Sequence, residues 1–208
     1  MTPDKTYCMP KKLLFFAAVI LLLFVISCQK SNNKTNTNEL EGNWAFVSSQ
    51  IQQVTQNKQV GPGVDTLAVD SFNYVTTNNT GSVSFTADSV ITKGLGYLVS
   101  TTHYQFGYNH GQLTHSVSGA YTMTIPPGNV SNSYLYIQKD SIYCPIMTFC
   151  AQTSVGTLPS APGGSGYVLN GDMLVITTIT GTNVGSTQSG VTYTTSDTAR
   201  VVTTLHRQ

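Results

Sequence analysis

The feature that most constrains the fold is a series of short alternating runs separated by Gly, Pro and Asn. From Asn43 onward no 3.6-residue periodicity is sustained, whereas polar and apolar residues alternate over 44–54, 97–108 and 133–138. Alternation places successive side chains on opposite faces of a β-strand, so each run is typical of a half-buried strand. Roughly eight to ten strands are predicted in this way, which indicates an all-β domain, either an antiparallel barrel or a β-sandwich.

Turn-forming residues divide the predicted strands. Asn109-His110-Gly111 and Asn170-Gly171-Asp172 each predict a hairpin, because Asn and Gly tolerate the left-handed backbone of tight turns. Pro126-Pro127 is expected to end the strand that begins at Tyr121. The stretch between Val54 and Ser82 is predicted to be loop-like, with weak strand character at 72–75.

Composition excludes several classes of protein. Charged residues make up 9% of the chain, against roughly 25% in typical soluble domains. Lys and Arg total 10 and Asp and Glu total 9. This balance lacks the clustered positive charge that binding to nucleic acid needs. Abundant Thr and Gly argue against a mostly helical fold.

Sequence motifs of enzymes are absent. The chain contains no G-x-S-x-G, no phosphate-binding loop and no H-E-x-x-H, and its carboxylates are scattered beside predicted turns. We therefore predict no enzymatic activity, no cofactor and no catalytic residue.

The N-terminal segment reads as a secretory signal. Lys11-Lys12 is followed by fourteen apolar residues, 13–26, which is shorter than the about 20 that a membrane-spanning helix needs. Val25-Ile26-Ser27-Cys28 resembles the lipobox of bacterial lipoproteins. The resemblance implies that residues 1–27 are removed and that Cys28 is acylated, which would anchor the protein to a membrane. Met9 is the expected start of translation.

A polar segment follows Cys28. Residues 28–39 are rich in Asn and cannot bury apolar surface, so we predict a disordered tether ahead of a domain at 40–208. By resemblance to lipoprotein sorting, Gln29 after the acylated cysteine favours the outer membrane of the cell envelope. Both the periplasmic face and the cell-surface face of that membrane stay as alternatives for the domain.

Three short motifs resemble lipocalins and the lipocalin-like lipoproteins of Bacteroidetes. Gly42 and Trp44 resemble their G-x-W opening, 167–176 resembles their late hairpin, and the end at Arg207 resembles their closing strand. The resemblance implies an up-and-down antiparallel barrel of about eight strands, with Trp44 at its floor and a basic residue stacked on that ring. In such a barrel the last strand pairs antiparallel with the first, which favours Arg207 for the stacking.

Cys144 and Cys150 form a candidate disulfide, because an exported protein meets an oxidising compartment. Two buried free thiols are the alternative. The C-x₅-C spacing has no nearby Cys or His, so it is a poor zinc site.

The four histidines are the candidate metal ligands. A three-residue turn at 109–111 would place Gln105 opposite His115, with His103 one diagonal away on the same face. No third ligand is near, and His110 and His206 stand apart, so cross-strand imidazoles are favoured and no metal is predicted.

Aromatic and Met side chains recur on strand faces and form a candidate ligand cavity. An eight-stranded barrel either fills its interior with side chains or holds one small ligand. Two hypotheses therefore stand: a small hydrophobic ligand inside the barrel, or a filled barrel that binds an unknown protein partner through its Thr- and Asn-rich outer face. The candidate cavity residues are Tyr104, Phe106, Tyr108, Tyr121, Met123, Tyr134 and Tyr136.

Acylation can be tested at the predicted cysteine. Replacing Cys28 with Ser is expected to abolish incorporation of a labelled fatty acid, because the thioether needs the thiol. The measurement is labelling of the intact chain in a bacterial host, with Cys144→Ser as the matched control that should keep full labelling. Label retained after Cys28→Ser would contradict the prediction.

Overall fold

The computed structural model describes residues 39–138, 140–144 and 163–208, with the backbone alone at 136–138, 144 and 163. These residues form one antiparallel sheet of ten strands, and no helix occurs among them. The all-β prediction is therefore confirmed. Cys28, Cys150 and the predicted signal 1–27 lie outside the described residues. The strands are β1 (Gly42–Gly61), β2 (Val64–Val75), β3 (Thr77–Phe85), β4 (Ser89–Asn109), β5 (Gln112–Ser133), β6 (Leu135–Gln138), β7 (Ser141–Cys144), β8 (Gly163–Asn170), β9 (Met173–Gln188) and β10 (Val191–Arg207).

The first strand lies between the last strand and the second and third. One edge of β1 pairs with β10 over nearly its whole length, and its other edge pairs with β2 and then β3. At the junction of β2 and β3, the Thr76 N–H donates to Ser49 O at 2.9 Å, and the Ser49 N–H donates to Thr76 Oγ1 at 2.8 Å. Thus β2 and β3 follow one another along the same edge of β1, and both pair with β4.

The two ends of the pairing order are neighbours in sequence. From β1 the order continues through β2 and β3 to β4 and β5 on one side, and through β10, β9, β8 and β7 to β6 on the other. Only Tyr134 separates β5 from β6, and its N–H donates to Asp88 O at 2.8 Å. Among the described strands, the pairings of β1 with β10, β1 with β3 and β2 with β4 join strands that are not consecutive in the chain, and the other pairings join consecutive strands.

The hairpin turns at one end of the sheet define what we call the hairpin end. They lie at Pro62-Gly63, His110-Gly111 and Ser189-Gly190. In the last two turns both residues have positive φ, as a type I′ turn requires, and the glycine takes this conformation without strain. The opposite end, where β1 begins and β10 finishes, is called the Trp44 end.

The inner face of the sheet is apolar. In β1 the buried positions are Trp44 and Phe46, then Ser49, Ile51 and Gln53. A register shift between Phe46 and Ser48 leaves Val47 exposed. The buried residues have even numbers before this shift and odd numbers after it. Register partners on neighbouring antiparallel strands share a face, so this set identifies the inner face on every strand. Its other buried apolar side chains include Val83, Val99, Leu174, Ile176, Val201 and Leu205.

The Trp44 end is closed by one aromatic side chain. Trp44 is fully buried, its indole N–H donates to Leu40 O at 2.9 Å, and its register partner is Arg207. The guanidinium carbon of Arg207 lies 4.4 Å from the ring centroid, within the range of a cation–π contact. This is the stacking that the lipocalin resemblance implied for Arg207. Gly42, two residues before Trp44, has a φ of 132°, which favours glycine.

Two expectations about strand limits were wrong. The stretch after Val54 is not a loop, because it forms the end of β1 and all of β2. Pro126 and Pro127 do not end a strand, because they lie inside β5 within the register shift between the pairs Leu95–Gly128 and Tyr97–Ile125, opposite Gly96. Proline lacks an N–H to donate and is tolerated in a strand at such an irregularity.

Truncating the tryptophan at the Trp44 end tests its structural role. Trp44→Ala is expected to lower the free energy of unfolding by about 3–5 kcal/mol, because a large buried side chain is replaced by a cavity. Denaturant unfolding measures the change, and Val47→Ala on the exposed face is the control, expected to stay within about 0.5 kcal/mol. A loss below about 1 kcal/mol for Trp44→Ala would show that this ring does not hold the end of the sheet together.

Candidate functional site

Six polar side chains lie on the inner face where the sheet passes from its buried core to the exposed hairpin end. We call them the inner polar cluster, and they are Gln53, Thr55, Asp70, His103, Gln105 and Asp197.

Strand register assembles this cluster from four strands. Thr55 of β1 lies opposite Asp70 of β2 on one side and opposite Asp197 of β10 on the other. Asp70 in turn lies opposite Gln105 of β4. Two carboxylates therefore flank one threonine on the same face of the sheet, although they are far apart in the sequence.

Asp70 accepts two contacts from β4. His103 Nε2 lies 3.0 Å from Asp70 Oδ1, and Gln105 Nε2 donates to the same oxygen at 2.7 Å. The His103 ring stacks on Phe72 with centroids 4.2 Å apart and planes 4° apart. The side chains of His103 and Asp70 remain 25% and 28% exposed, so solvent or a ligand can reach them from the hairpin end.

Asp197 is held by uncharged donors. Gln53 Nε2 donates to its two carboxylate oxygens at 3.3 and 3.4 Å, and Thr55 Oγ1 donates to Oδ1 at 3.1 Å. Gln53 is only 3% exposed, so its amide is held in place by the surrounding core. Among the described residues, no Lys or Arg pairs with Asp70 or Asp197.

An aromatic and sulfur-containing surface lies next to the cluster. Phe72 meets Tyr121 edge-on at 5.8 Å, and the Tyr121 hydroxyl donates to Met123 Sδ at 3.2 Å. These three residues are partly buried and pack against the core. Thus the inner face presents apolar surface directly beside polar groups, the combination that is typical of small-molecule sites.

Within the described part of the chain, two buried hydroxyls on the inner face have no hydrogen-bond partner. They are Tyr74 Oη and Thr180 Oγ1, on side chains that are 4% and 9% exposed. Burial raises the pKa of the Tyr74 hydroxyl above its ordinary value, and the neighbouring Tyr121 adds to the rise. An unpaired buried hydroxyl costs free energy, and such groups in a native protein call for an explanation such as a ligand or water.

The structure divides the candidate cavity residues between the two faces. Tyr121 and Met123 lie on the inner face, and Tyr134 is buried near the Trp44 end, where its hydroxyl donates to Thr86 O at 2.6 Å. Tyr104, Phe106 and Tyr108 lie on the outer face, because strict alternation in β4 gives the inner face to Val99 and His103. The cavity prediction was therefore wrong for these three residues, and the side chain of Tyr136 lies outside the described residues.

The structure does not place the histidines as the sequence predicted. Gln105 pairs with Val117 rather than with His115, because the turn has two residues and a register shift follows Gly107. His103 pairs with Gly119, four positions along β5 from His115, and contacts Asp70 instead. His110 and His206 are exposed. Within the described ranges, no group of three metal-binding side chains occurs.

The cysteine prediction falls where side chains are not described. The backbone of Cys144 ends β7, and Cys150 lies outside the described residues, so the disulfide stays a prediction. In the part of the chain that is described, no helix is long and apolar enough to span a membrane.

Analysis of the sequence missed Asp70, Asp197, Gln53 and Gln105 as site residues. Strand register brings these residues together. In the sequence, Thr55 is 142 positions from Asp197 and 15 positions from Asp70. The sequence offered one clue. Asp70, Phe72 and Tyr74 are every second residue of one run, which places their side chains on the same face of a strand.

The outer face carries an aromatic patch near the hairpin end. We define the outer aromatic patch as Leu67 and Val69 of β2 with Tyr104, Phe106 and Tyr108 of β4. The rings of Tyr104 and Phe106 are parallel within 2°, with centroids 6.4 Å apart, and Tyr104 is 47% exposed. The patch is a second candidate site, for binding at the surface.

Comparison with known proteins returns no matching family model and no matching curated protein. Among solved structures, the chain is similar to Ail, the attachment invasion locus protein of Yersinia pestis, at 10% identity. The match covers 79% of this chain and 99% of that one with a TM-score of 0.18, a value too low to carry an argument about fold or function.

Two buried tyrosines provide a matched test of the unpaired hydroxyl. Tyr74→Phe is expected to leave the free energy of unfolding unchanged or to raise it, because the lost hydroxyl has no partner. Tyr134→Phe should lower it by about 0.5–1.5 kcal/mol, because a hydrogen bond to Thr86 O is lost. Denaturant unfolding of both variants measures the contrast, and equal losses would contradict the assignment.

Tyr74→Phe is also expected to change how the free energy of unfolding depends on pH. With its pKa raised in the folded state, Tyr74 contributes stability that is fully present below the unfolded value of about 10 and is lost as pH rises above it. Tyr74→Phe should therefore lose stability less steeply than the unmodified protein above about pH 10. Parallel curves of unfolding free energy against pH would rule out a raised Tyr74 pKa.

Proposed function

We propose that this protein is a lipid-anchored, non-enzymatic binding protein of the bacterial cell envelope, with a lipocalin-like barrel that holds a small, mostly apolar molecule against its inner face. The observation that carries the proposal is the pair of unpartnered buried hydroxyls, Tyr74 and Thr180, on the same face as the inner polar cluster. The lipid anchor rests on the lipobox resemblance at Cys28.

Closure into a barrel is supported by the order of the strands. If β2 with β3, and β5 with β6, are each counted as one interrupted strand, the sheet is an eight-stranded meander whose first and last strands pair. The interruption at Tyr134 lets one strand pair with β4 on one side and with β7 on the other. The Trp44–Arg207 contact at one end agrees with the floor of a lipocalin.

The distribution of polarity favours an internal site for an apolar ligand. The inner face carries the apolar core, and the exposed face of β5 carries mostly Ser, Thr, Gln and Asn. A barrel in a membrane would show the opposite arrangement, with its apolar band directed outward. An apolar interior with a few convergent polar groups is what a small-molecule site requires.

We interpret the Asp70–His103 pair as a binding group. A hydroxyl nucleophile would have to contact His103, but the Thr55 hydroxyl donates to Asp197 instead. The described contacts of the inner polar cluster therefore contain no hydroxyl–imidazole pair of the kind that nucleophilic catalysis uses.

Binding of a protein partner is the second candidate function, and the outer aromatic patch favours it. Aromatic side chains are enriched at protein interfaces, and here the half-exposed Tyr104 lies parallel to the partly buried Phe106 on a sheet face. In this alternative the interior is filled and the patch contacts the partner.

The experiment compares the small molecules that co-purify with the intact lipoprotein from its own host. Thr55→Trp puts a large ring at the opening of the inner face, where Thr55 is only partly buried, and should abolish co-purification. Gln56→Trp is the matched control, because the next residue of β1 points to the outer face and is exposed. Mass spectrometry of the denatured samples identifies any released molecule.

The outcome separates the two candidate functions. A molecule of a few hundred daltons that is present in the unmodified protein and in Gln56→Trp, and absent from Thr55→Trp, supports internal binding. No molecule in any sample, together with a crosslinked protein that is lost in Tyr104→Ser, would instead support the outer aromatic patch. A molecule that is equally abundant in all three samples would show that it binds elsewhere.

A further inference from the structure

We infer that the ligand of the inner face carries a cationic amine next to an apolar body, with the ammonium group between Asp70 and Asp197. The inference rests on the proposed function and deepens it, because it names the chemical class of the ligand. It comes from the charges of the inner polar cluster and from the two unpartnered hydroxyls beside it.

The charges around the site are unbalanced. Aspartate side chains are negative at neutral pH, and two of them share this part of the inner face. Their donors Gln53, Thr55 and Gln105 are neutral, and His103 is charged only when it is protonated. Uncharged donors orient the two carboxylates without neutralising them.

The basic residues of the described strands lie elsewhere. Lys58, Lys93 and Arg200 fall on the outer face, because each is the register partner of an outer-face position or alternates with an inner one. Arg207 stacks on Trp44 at the opposite end of the sheet. A cation for Asp70 and Asp197 is therefore not supplied by the described chain, apart from the His103 contact, and a bound molecule can supply it.

The spacing suits one small cation. Asp70 and Asp197 belong to the two strands that border β1, so their backbones lie about 10 Å apart, twice the spacing between neighbouring strands. The Asp197 carboxylate contacts Gln53 and Thr55 of β1, whereas the Asp70 carboxylate contacts His103 and Gln105 of β4, so the separation persists at the side chains. An ammonium group held by one carboxylate would reach the other through a bridging water. Primary and secondary amines have the N–H donors that such a pair of acceptors needs.

The neighbouring side chains define the rest of the ligand. Phe72, Tyr121 and Met123 provide a soft apolar surface, and aromatic faces also attract cations. The buried hydroxyls of Tyr74 and Thr180 are the independent sign of a missing partner, because each can hydrogen-bond a polar atom of the ligand. An arylalkylamine combines these features in one molecule.

The test uses three water-soluble probes that share a phenethyl group and differ in charge. They are phenethylamine, which is cationic at neutral pH, 2-phenylethanol, which is neutral, and 3-phenylpropionate, which is anionic. Calorimetric titration of the full lipoprotein in nanodiscs, with empty nanodiscs as the reference, measures each affinity. Phenethylamine is expected to bind about tenfold more tightly than 2-phenylethanol, a ratio equal to about 1.4 kcal/mol, and 3-phenylpropionate more weakly than either.

Variants assign the preference to the two carboxylates. Asp70→Asn and Asp197→Asn should each reduce phenethylamine binding about fivefold more than they reduce 2-phenylethanol binding, since the attraction between opposite charges is lost only for the amine. Asp172→Asn is the matched control, because it makes the same change of net charge at an exposed turn at the Trp44 end. It should alter neither affinity.

The results distinguish failure of this inference from failure of the proposed function. Equal binding of the amine and the alcohol, or an equal effect of Asp172→Asn, would overturn the inference and leave an apolar site in place. No binding of any probe, together with no co-purifying molecule from the host, would overturn both. A selective loss of amine binding in the two inner variants supports the inference.

Discussion

The pairing of the first strand with the last holds the domain together. One edge of β1 carries β2 and β3 with the strands that follow them, and the other edge carries β10 with the strands that precede it. Among the described strands, this pairing connects the two halves of the sheet by backbone hydrogen bonds, and in the chain the halves meet at Tyr134, between β5 and β6. The partners Trp44 and Arg207 are far apart in sequence, so the chain loses much loop entropy before this pairing forms, which favours slow folding.

The core tolerates hydroxyl groups because several of them hydrogen-bond one another or backbone groups. Ser49 and Thr203 are both buried with hydroxyl oxygens 2.9 Å apart, and those of Ser165 and Thr178 are 2.6 Å apart. This arrangement explains how so Thr-rich a chain packs a β core without leaving polar atoms unsatisfied. Against that background the hydroxyls of Tyr74 and Thr180 are exceptions, and both lie on the face that we assign to the ligand.

Alternation in the sequence predicted the strands whose apolar residues keep to one face, including both runs around the Asn170 turn. It failed for β2, where Leu67 and Val69 face outward while Phe72 and Tyr74 face inward, so that the run shows no simple period.

The candidate site was harder to predict than the strands, for a related reason. Alternation groups side chains by face without saying which face is inside, so the conspicuous aromatic run of β4 was placed in the interior and belongs to the outer surface. The inner polar cluster depends on the register between distant strands, and a single strand carries no record of its partners.

The same pairing brings the ends of the domain together. The N–H of Gln208 donates to Asn43 O at 3.0 Å, so the last residue touches the start of the first strand. In a meander whose ends meet in this way, the spatial neighbours of each strand do not depend on which strand comes first in the chain. If β5 and β6 are counted as one interrupted strand, the strands form a cycle, and a gene that joined these ends and opened at His110-Gly111 would encode the same set of neighbours in a different linear order.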